Sequence, residues 1–256
     1  MMRDLSGKLA WITGAGTGIG EAGAEKLAEA GCRVVLSGRR VEPLEDLAGR
    51  IRASGGEAHV APLDVADRDA AMALGASIVE AHGTVDILLN SAGINIPKRH
   101  WPDVSLDDWD AVVQIDLNGA FYCTQAVLPS MRAQKEGLVI NVSSWAGVHV
   151  SFLTGPAYNA AKHGMTAMTE SLNMEECING IRACALCPGE VSTPIMDKRP
   201  IPMSAEDRAR MVQPEEMGET ILFLARMPAH VCVNQLVISP VWNRGYVGYH
   251  TKDGPE

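Results

Sequence analysis

A short apolar run, Lys8 to Thr13 (KLAWIT), leads straight into the turn Gly14-Ala15-Gly16-Thr17-Gly18-Ile19-Gly20, and an alanine-rich amphipathic segment continues to Ala30 before Gly31. Few sequence features restrict a fold so strongly. An apolar run that ends in glycines reads as a buried strand, and the amphipathic stretch after it as a helix. The same order builds an anion site. Glycines let the backbone approach a pyrophosphate closely, and the helix N-terminus offers N–H groups and a favourable dipole. Glycine spacing alone is weak evidence, but here the strand and the helix that the motif requires are both in place.

The alternation then repeats. Arg33 to Ser37 is a second strand, and a polar helix over Glu42 to Ala53 and a Ser-Gly-Gly turn follow it. Ala58 to Pro62 is a third strand, with Asp64 and Val65 just beyond it. A helix from about Asp67 to Ala81 returns to Val85 to Leu89 (VDILL), apolar throughout, as in a sheet covered on both faces. At its end lie Asn90, Ser91, Ala92 and Gly93, where a backbone can pass close to a ligand. Strands alternating with helix-length connections imply an α/β fold with a doubly wound parallel sheet. A long helical stretch over about Ser105 to Gln134 and a strand at Leu138 to Val142 extend the series. A helix running to about Ile178, a strand at Ile181 to Leu186, a helix at Glu215 to Arg226 and a strand at Asn234 to Ser239 complete it. The run 192–213, rich in prolines and polar breakers, reads as a mobile cover over an apolar pocket, and 241–256 as a polar tail. No repeat or linker divides the chain, so residues 1–256 are expected to form a single domain.

In a dinucleotide-binding arrangement the end of the second strand meets the adenosine ribose. A carboxylate there would accept from a free 2′-hydroxyl and repel a 2′-phosphate. This chain has Gly38, Arg39 and Arg40 instead, which suit a 2′-phosphate through charge-assisted hydrogen bonds. NADP is therefore the expected cofactor, with NAD as the alternative.

The candidate chemistry lies between Ser143 and Lys162. With Pro156 opening a helix, Tyr158 and Lys162 fall four residues apart on one face. A phenol has an ordinary pKa of about 10. An ammonium about 4 Å away favours the phenolate by about 4 kcal/mol at an effective dielectric of about 20. That brings tyrosine towards the range of a general acid/base. Ser144, leaving an apolar strand, is placed to hydrogen-bond a reacting carbonyl or alcohol oxygen. A Tyr and Lys at this spacing are also ordinary helix neighbours; the other motifs give the pair its weight.

Composition bounds the remaining possibilities. The net charge of −9 disfavours nucleic acid and anionic membrane surfaces as general partners. No apolar run approaches the eighteen or so residues of a membrane span. Asp4, Ser6, Gly7 and Lys8 interrupt any signal-peptide core, so a cytoplasmic protein is expected. Cys184 and Cys187 form a CxxC, but without a second pair or a nearby histidine they read as buried thiols. No metal site is expected.

Taken together, Thr13-Gly14-x-x-x-Gly18-x-Gly20, Asn90-x-Ala92-Gly93, Ser144, Tyr158-x-x-x-Lys162 and Pro188-Gly189 with Thr193 closely resemble the short-chain dehydrogenase/reductase family, over roughly residues 6–240. The resemblance implies a single-domain Rossmann-type sheet of about seven strands in the order 3-2-1-4-5-6-7. It also implies a homo-oligomer, a dimer or a homotetramer, and a small-molecule carbonyl or alcohol substrate. It assigns Tyr158 as the acid/base, Lys162 to the nicotinamide ribose and to lowering the phenol's pKa, and Ser144 to the substrate carbonyl. Gly14, Thr17, Gly18, Ile19 and Gly20 would hold the pyrophosphate, Arg39 the 2′-phosphate, and Asp64 and Val65 the adenine. Asn90, Ala92 and Gly93 would line the cofactor, with Pro188, Gly189, Val191 and Thr193 about its carboxamide. Where the family usually has an Asn in a proton relay, this chain has Asp116, which can serve through its backbone carbonyl while altering Lys162. The chain's end, VNQLVISPVWNR, resembles the branch acting on small hydroxy acids and assorted carbonyls.

The substrate stays open. Asn95, Ile96, Trp145, His149, Phe152, Ile195, Met196 and Met203 are candidates for the pocket, with Ile201 in the same covering run, and Lys98, Arg99, His100, Lys198 and Arg199 are candidates for an acidic group. The competing readings are an NAD-dependent alcohol dehydrogenase with the same site, and a nucleotide-sensing relative without turnover.

Overall fold

The computed structural model describes residues 2–199 and 203–247, with the Lys198 side chain also excluded. Seven parallel strands form one sheet in the order β3-β2-β1-β4-β5-β6-β7. They are β1 (Leu9–Thr13), β2 (Arg33–Ser37), β3 (Glu57–Val60), β4 (Ile87–Asn90), β5 (Gly137–Val142), β6 (Ile181–Pro188) and β7 (Gln235–Ile238). The expected order is the observed one. The chain order reverses direction between β1 and β4, which opens a crevice at the strands' C-terminal ends.

Period-two alternation explains why both faces are covered. Along β1, Ala10 and Ile12 enter one core with Val34, Leu36, Leu89 and Ile140, against α1 (Gly18–Glu29), α2 (Val41–Ala53) and α8 (Pro214–Arg226). Leu9 and Trp11 enter the other with Val35, Leu88 and Val139, against α3 (Arg68–His82) and α5 (Gly119–Gln134). Trp11 is fully buried, and its indole N–H donates to Ser37 Oγ at 2.9 Å. Cys184 and Cys187 are buried free thiols of β6.

The long helix expected over Ser105 to Gln134 is interrupted. α4 (Leu106–Val113) passes into a π-helical turn, Gln114–Asn118, before α5 begins. The Gly119 N–H reaches the Gln114 carbonyl across that wider turn. Such turns gather at functional sites, and this one carries Asp116. α6 (Gly155–Glu176) has Pro156 in its first turn, as expected. The short helices α7 (Ala205–Ala209) and α9 (Arg244–Val247) follow β6 and β7. No helix among the described residues is long and apolar enough to cross a membrane.

Candidate active site

The turn after β1 is built by close approach. Gly14 has φ +65°, and a Cβ there would lie 2.7 Å from the Ala92 backbone nitrogen. A Cβ on Gly20 would lie 2.4 Å from the Gly14 carbonyl oxygen. Neither position accepts a side chain without moving backbone. Thr17 caps α1 with no side-chain hydrogen bond to the helix, so the N–H groups of the first turn remain available to an anion.

These elements border a cleft lined by Gly14, Thr17, Gly18 and Ile19, by Ala92 and Gly93, and by Ser144, Tyr158 and Lys162. Pro188, Gly189, Val191 and Thr193 close its far side. A shallower depression beside Gly14 and Thr17 is lined by Gly38, Arg39 and Arg40. A Cβ on Gly38 would touch only the Leu44 methyls, at 3.7 and 4.0 Å.

Three expected contacts lie apart from the cleft wall. The Asn90 amide is buried, and its Nδ2 donates to Asn141 Oδ1 at 2.9 Å and to Thr124 Oγ1 at 3.2 Å. It ties β4 to β5 and α5. Asp64 is exposed and accepts from the Ala66 N–H at 3.0 Å, and Val65 is buried against Gly119.

A second cavity, of about 180 Å³, adjoins the first. Ser144, Tyr158, Gly189, Ile195 and Met196 line both, so the candidate reacting groups stand on the shared wall. Ser144 leaves β5 in an extended conformation, and its Oγ accepts from the Ala146 N–H at 3.1 Å. Lys162 is buried and donates to the Val142 carbonyl at 3.0 Å. Its ammonium is 5.4 Å from the Tyr158 ring centre.

Asp116 is fully buried beside them. Its Oδ1 accepts from the Ile94 N–H at 2.7 Å, and its Oδ2 lies 3.4 Å from Lys162 Nζ. That is close enough for charge pairing but outside good hydrogen-bond geometry. Burial raises the Asp116 carboxyl above its ordinary range, against the pull of Lys162. Burial lowers Lys162, but the facing Asp116 and Tyr158 outweigh it, and the ammonium is held more firmly than usual.

Lys162 pulls the Tyr158 phenol down, but the net direction is up, short of the lowered phenol expected. Burial pushes the Tyr158 phenol up, and Asp116 adds to the rise; Lys162, Ser144 and Arg99 act in the opposite direction without prevailing. Burial is the main reason the phenol stays high, and the carboxylate beside the lysine opposes part of the lysine's pull.

The second cavity also departs from the expected apolar pocket. Asn95, Trp145, Ile195 and Met196 do line it; so do Arg99 and Arg199, named above for an acidic group, and Glu190 and Arg244, which are not. His100 instead stacks on the exposed Phe152, and His149 packs at a tilt against Trp145; Ile96 joins a small core with Ala157 and Ala161. Ile201 and residues 248–256 lie outside the described residues. The start of the expected tail is part of the wall: Asn243, Arg244 and Gly245 line the cavity, and Tyr246 packs edge-on against Trp145. The run expected to be a cover starts and ends beside a bridge between Val191 and Val212.

Residues 8–202 match the short chain dehydrogenase family. The chain belongs to the short-chain dehydrogenase/reductase family. It is 36% identical over 237 residues to the uncharacterized oxidoreductase YxbG of Bacillus subtilis (strain 168), covering 88% of this chain and 86% of that protein. An alcohol dehydrogenase from the archaeon Thermococcus sibiricus, complexed with 5-hydroxy-NADP, superimposes with a TM-score of 0.83 at 27% identity, over 92% of this chain and 97% of that one. The closed form of a serine dehydrogenase complexed with NADP+ gives 0.82 at 28% identity, over 91% and 95%. This short-chain dehydrogenase/reductase is an oxidoreductase with the seven-stranded parallel sheet of its family.

Proposed function

We propose that the protein transfers a hydride between NADP(H) and a carbonyl compound or secondary alcohol, with Tyr158 as the acid/base. The observation that carries this reading is the shared wall, where Ser144 and Tyr158 face both the glycine-bordered cleft and the second cavity.

The cleft fits a dinucleotide. A Cβ at Gly14 or Gly20 would press on the backbone of the turn that borders it, and the open N-terminus of α1 favours a pyrophosphate. Gly14, Thr17, Gly18, Ile19 and Gly20 would hold that group, with Asp64 and Val65 at the adenine. Ala92, Gly93 and Lys162 would flank the nicotinamide ribose, and Pro188, Gly189, Val191 and Thr193 the carboxamide. Asn90 would support this wall from behind, through its bond to Asn141. Arg39 and Arg40 beside Gly38 support NADP, as do the NADP-type ligands of the similar dehydrogenases. When bound, the coenzyme supplies or accepts the hydride.

Ser144 orients the substrate oxygen, and Tyr158 gives it a proton in reduction or takes one in oxidation. A phenol held above its ordinary pKa is protonated at neutral pH, which suits reduction. Oxidation needs the phenolate and therefore gains at alkaline pH. Lys162 is held by the Val142 carbonyl and Asp116, which fixes its position behind the phenol. We also propose a cytoplasmic dimer or tetramer, joined along α5 and α6, where Phe121 and Met174 are exposed apolar side chains.

Purified protein mixed with NADPH and a panel of aldehydes, ketones and oxo acids should consume NADPH with at least one of them. Cofactor binding with no consumption across the panel, and no reverse reaction with secondary alcohols, would favour the nucleotide-sensing alternative.

A further inference from the structure

The second cavity has a charge pattern that hydride transfer does not explain. Among the described residues lining it, three guanidiniums (Arg99, Arg199 and Arg244) face a single carboxylate, Glu190. The chain as a whole carries −9, so this concentration of positive charge runs against its composition.

The cluster is built into the fold. Arg99 is only 5% exposed. Its carbonyl lies so close to Gly155, the first residue of α6, that a Cβ there would be 2.1 Å from the oxygen. The Arg99 backbone is thus seated on the helix that carries Tyr158. The adjacent Asn95 amide donates to the Thr154 carbonyl at 3.2 Å, fixing the same loop. On the opposite wall, Glu190 accepts from Arg199 Nη1 at 2.7 Å and from Arg244 Nε at 3.0 Å. It holds both guanidiniums in place, and each keeps further N–H donors. Arg99 is near enough to Arg199 and to Tyr158 for their charges to act on it. Arg199 and Arg244 share the one Glu190 carboxylate, so that part of the wall keeps a net positive charge towards the cavity.

Building on the proposed oxidoreductase activity, we propose that the substrate is a carboxylate-bearing carbonyl compound, or the matching hydroxy acid, with Arg99, Arg199 and Arg244 receiving its carboxylate. In reduction the carbonyl carbon gains the hydride and its oxygen gains the Tyr158 proton. The C=O double bond becomes a CH–OH group, the nicotinamide coenzyme is oxidised by two electrons, and the carboxylate passes through unchanged.

The test compares 2-, 3- and 4-oxo acids with their methyl esters, which keep the carbonyl and remove the charge. NADPH consumption is followed at low and high salt, and a phosphorylated ketone is included. For at least one chain length the acid should exceed its ester in kcat/KM by at least about tenfold, the lower end of a charge-assisted contact. Arg99→Met should bring the acid-to-ester ratio to about one, chiefly through KM, and Arg99→Lys should restore part of it. Arg244→Met, at a more exposed site, should lower the same ratio if the buried variant fails to fold. An ester used as well as its acid, a ratio untouched by Arg99→Met and Arg244→Met, or a preference for the phosphorylated ketone would each overturn the inference. Turnover of neutral ketones without acid preference would leave the oxidoreductase reading intact; no turnover of any compound would remove both.

Discussion

Replacing Asp116 with asparagine tests how the buried site sets its own working pH. The amide keeps the side chain's shape and its acceptance of the Ile94 N–H, but removes the charge facing Lys162. Across 3.4 Å, two unit charges attract by about 5 kcal/mol at an effective dielectric of about 20. Losing that attraction releases the lysine's proton more readily. Tyr158, with its ring centre 5.4 Å from the same ammonium, loses a negative neighbour as well. The two groups titrate together, so the apparent deprotonation belongs to the site. Removing a negative charge makes either proton easier to lose, and the apparent pKa should fall by at least about one unit. Both the alkaline loss of reduction and the alkaline gain of oxidation then move to lower pH. Profiles of kcat/KM from about pH 6 to 11 at fixed ionic strength, for wild type and Asp116→Asn, read this directly. An unmoved limb, or one displaced to higher pH, would refute the electrostatic coupling.

Changing Gly38 to Asp together with Arg39 to Ser should shift coenzyme preference towards NAD by a factor of about 10 to 150, because the open space at Gly38 admits the carboxylate. Titration calorimetry with NADPH and NADH checks this, and a variant that still prefers NADPH contradicts it. Gly14→Ala should weaken NADPH binding at least about tenfold and lower the melting temperature, since its Cβ would press on the Ala92 backbone at positive φ. Binding within threefold of wild type would argue against the cradle. Light scattering at micromolar concentration should return a multiple of 27.3 kDa; a stable monomer would remove the proposed α5/α6 interface.

The parallel sheet was legible because its signals are local. Glycines end β1, apolar runs such as VDILL require cover on both faces, and every connection is long enough for a helix. Ser144, Tyr158 and Lys162 were legible for a related reason, since strand exit and helix periodicity fix their directions. The π turn at Gln114–Asn118 left no comparable mark, because one extra residue per turn hardly disturbs an apolar stripe. The Asp116–Lys162 pairing was therefore anticipated in kind but not in geometry, nor was its effect on the Tyr158 phenol. Asn90 shows the converse limit: its place at a strand end is local, but its turn towards Asn141 depends on packing across β4 and β5. Arg244 lies 54 residues from Glu190 in the chain, and nothing in its neighbourhood marks it as part of a cavity. Only the return of the chain after β7 brings them together.

The central claim is that Tyr158 supplies the proton while hydrogen moves directly from coenzyme to substrate carbon. NADPH deuterated at each face of C4 in turn, incubated with an accepted carbonyl compound, tests it most directly by mass spectrometry of the alcohol formed. One deuterated form should place a single deuterium on the carbinol carbon, and the other should place none. Tyr158→Phe should bind NADPH like wild type yet form product about 10²- to 10⁴-fold more slowly. Product whose carbinol hydrogen comes from solvent, or a Tyr158→Phe variant keeping more than about a tenth of wild-type kcat, would contradict the account.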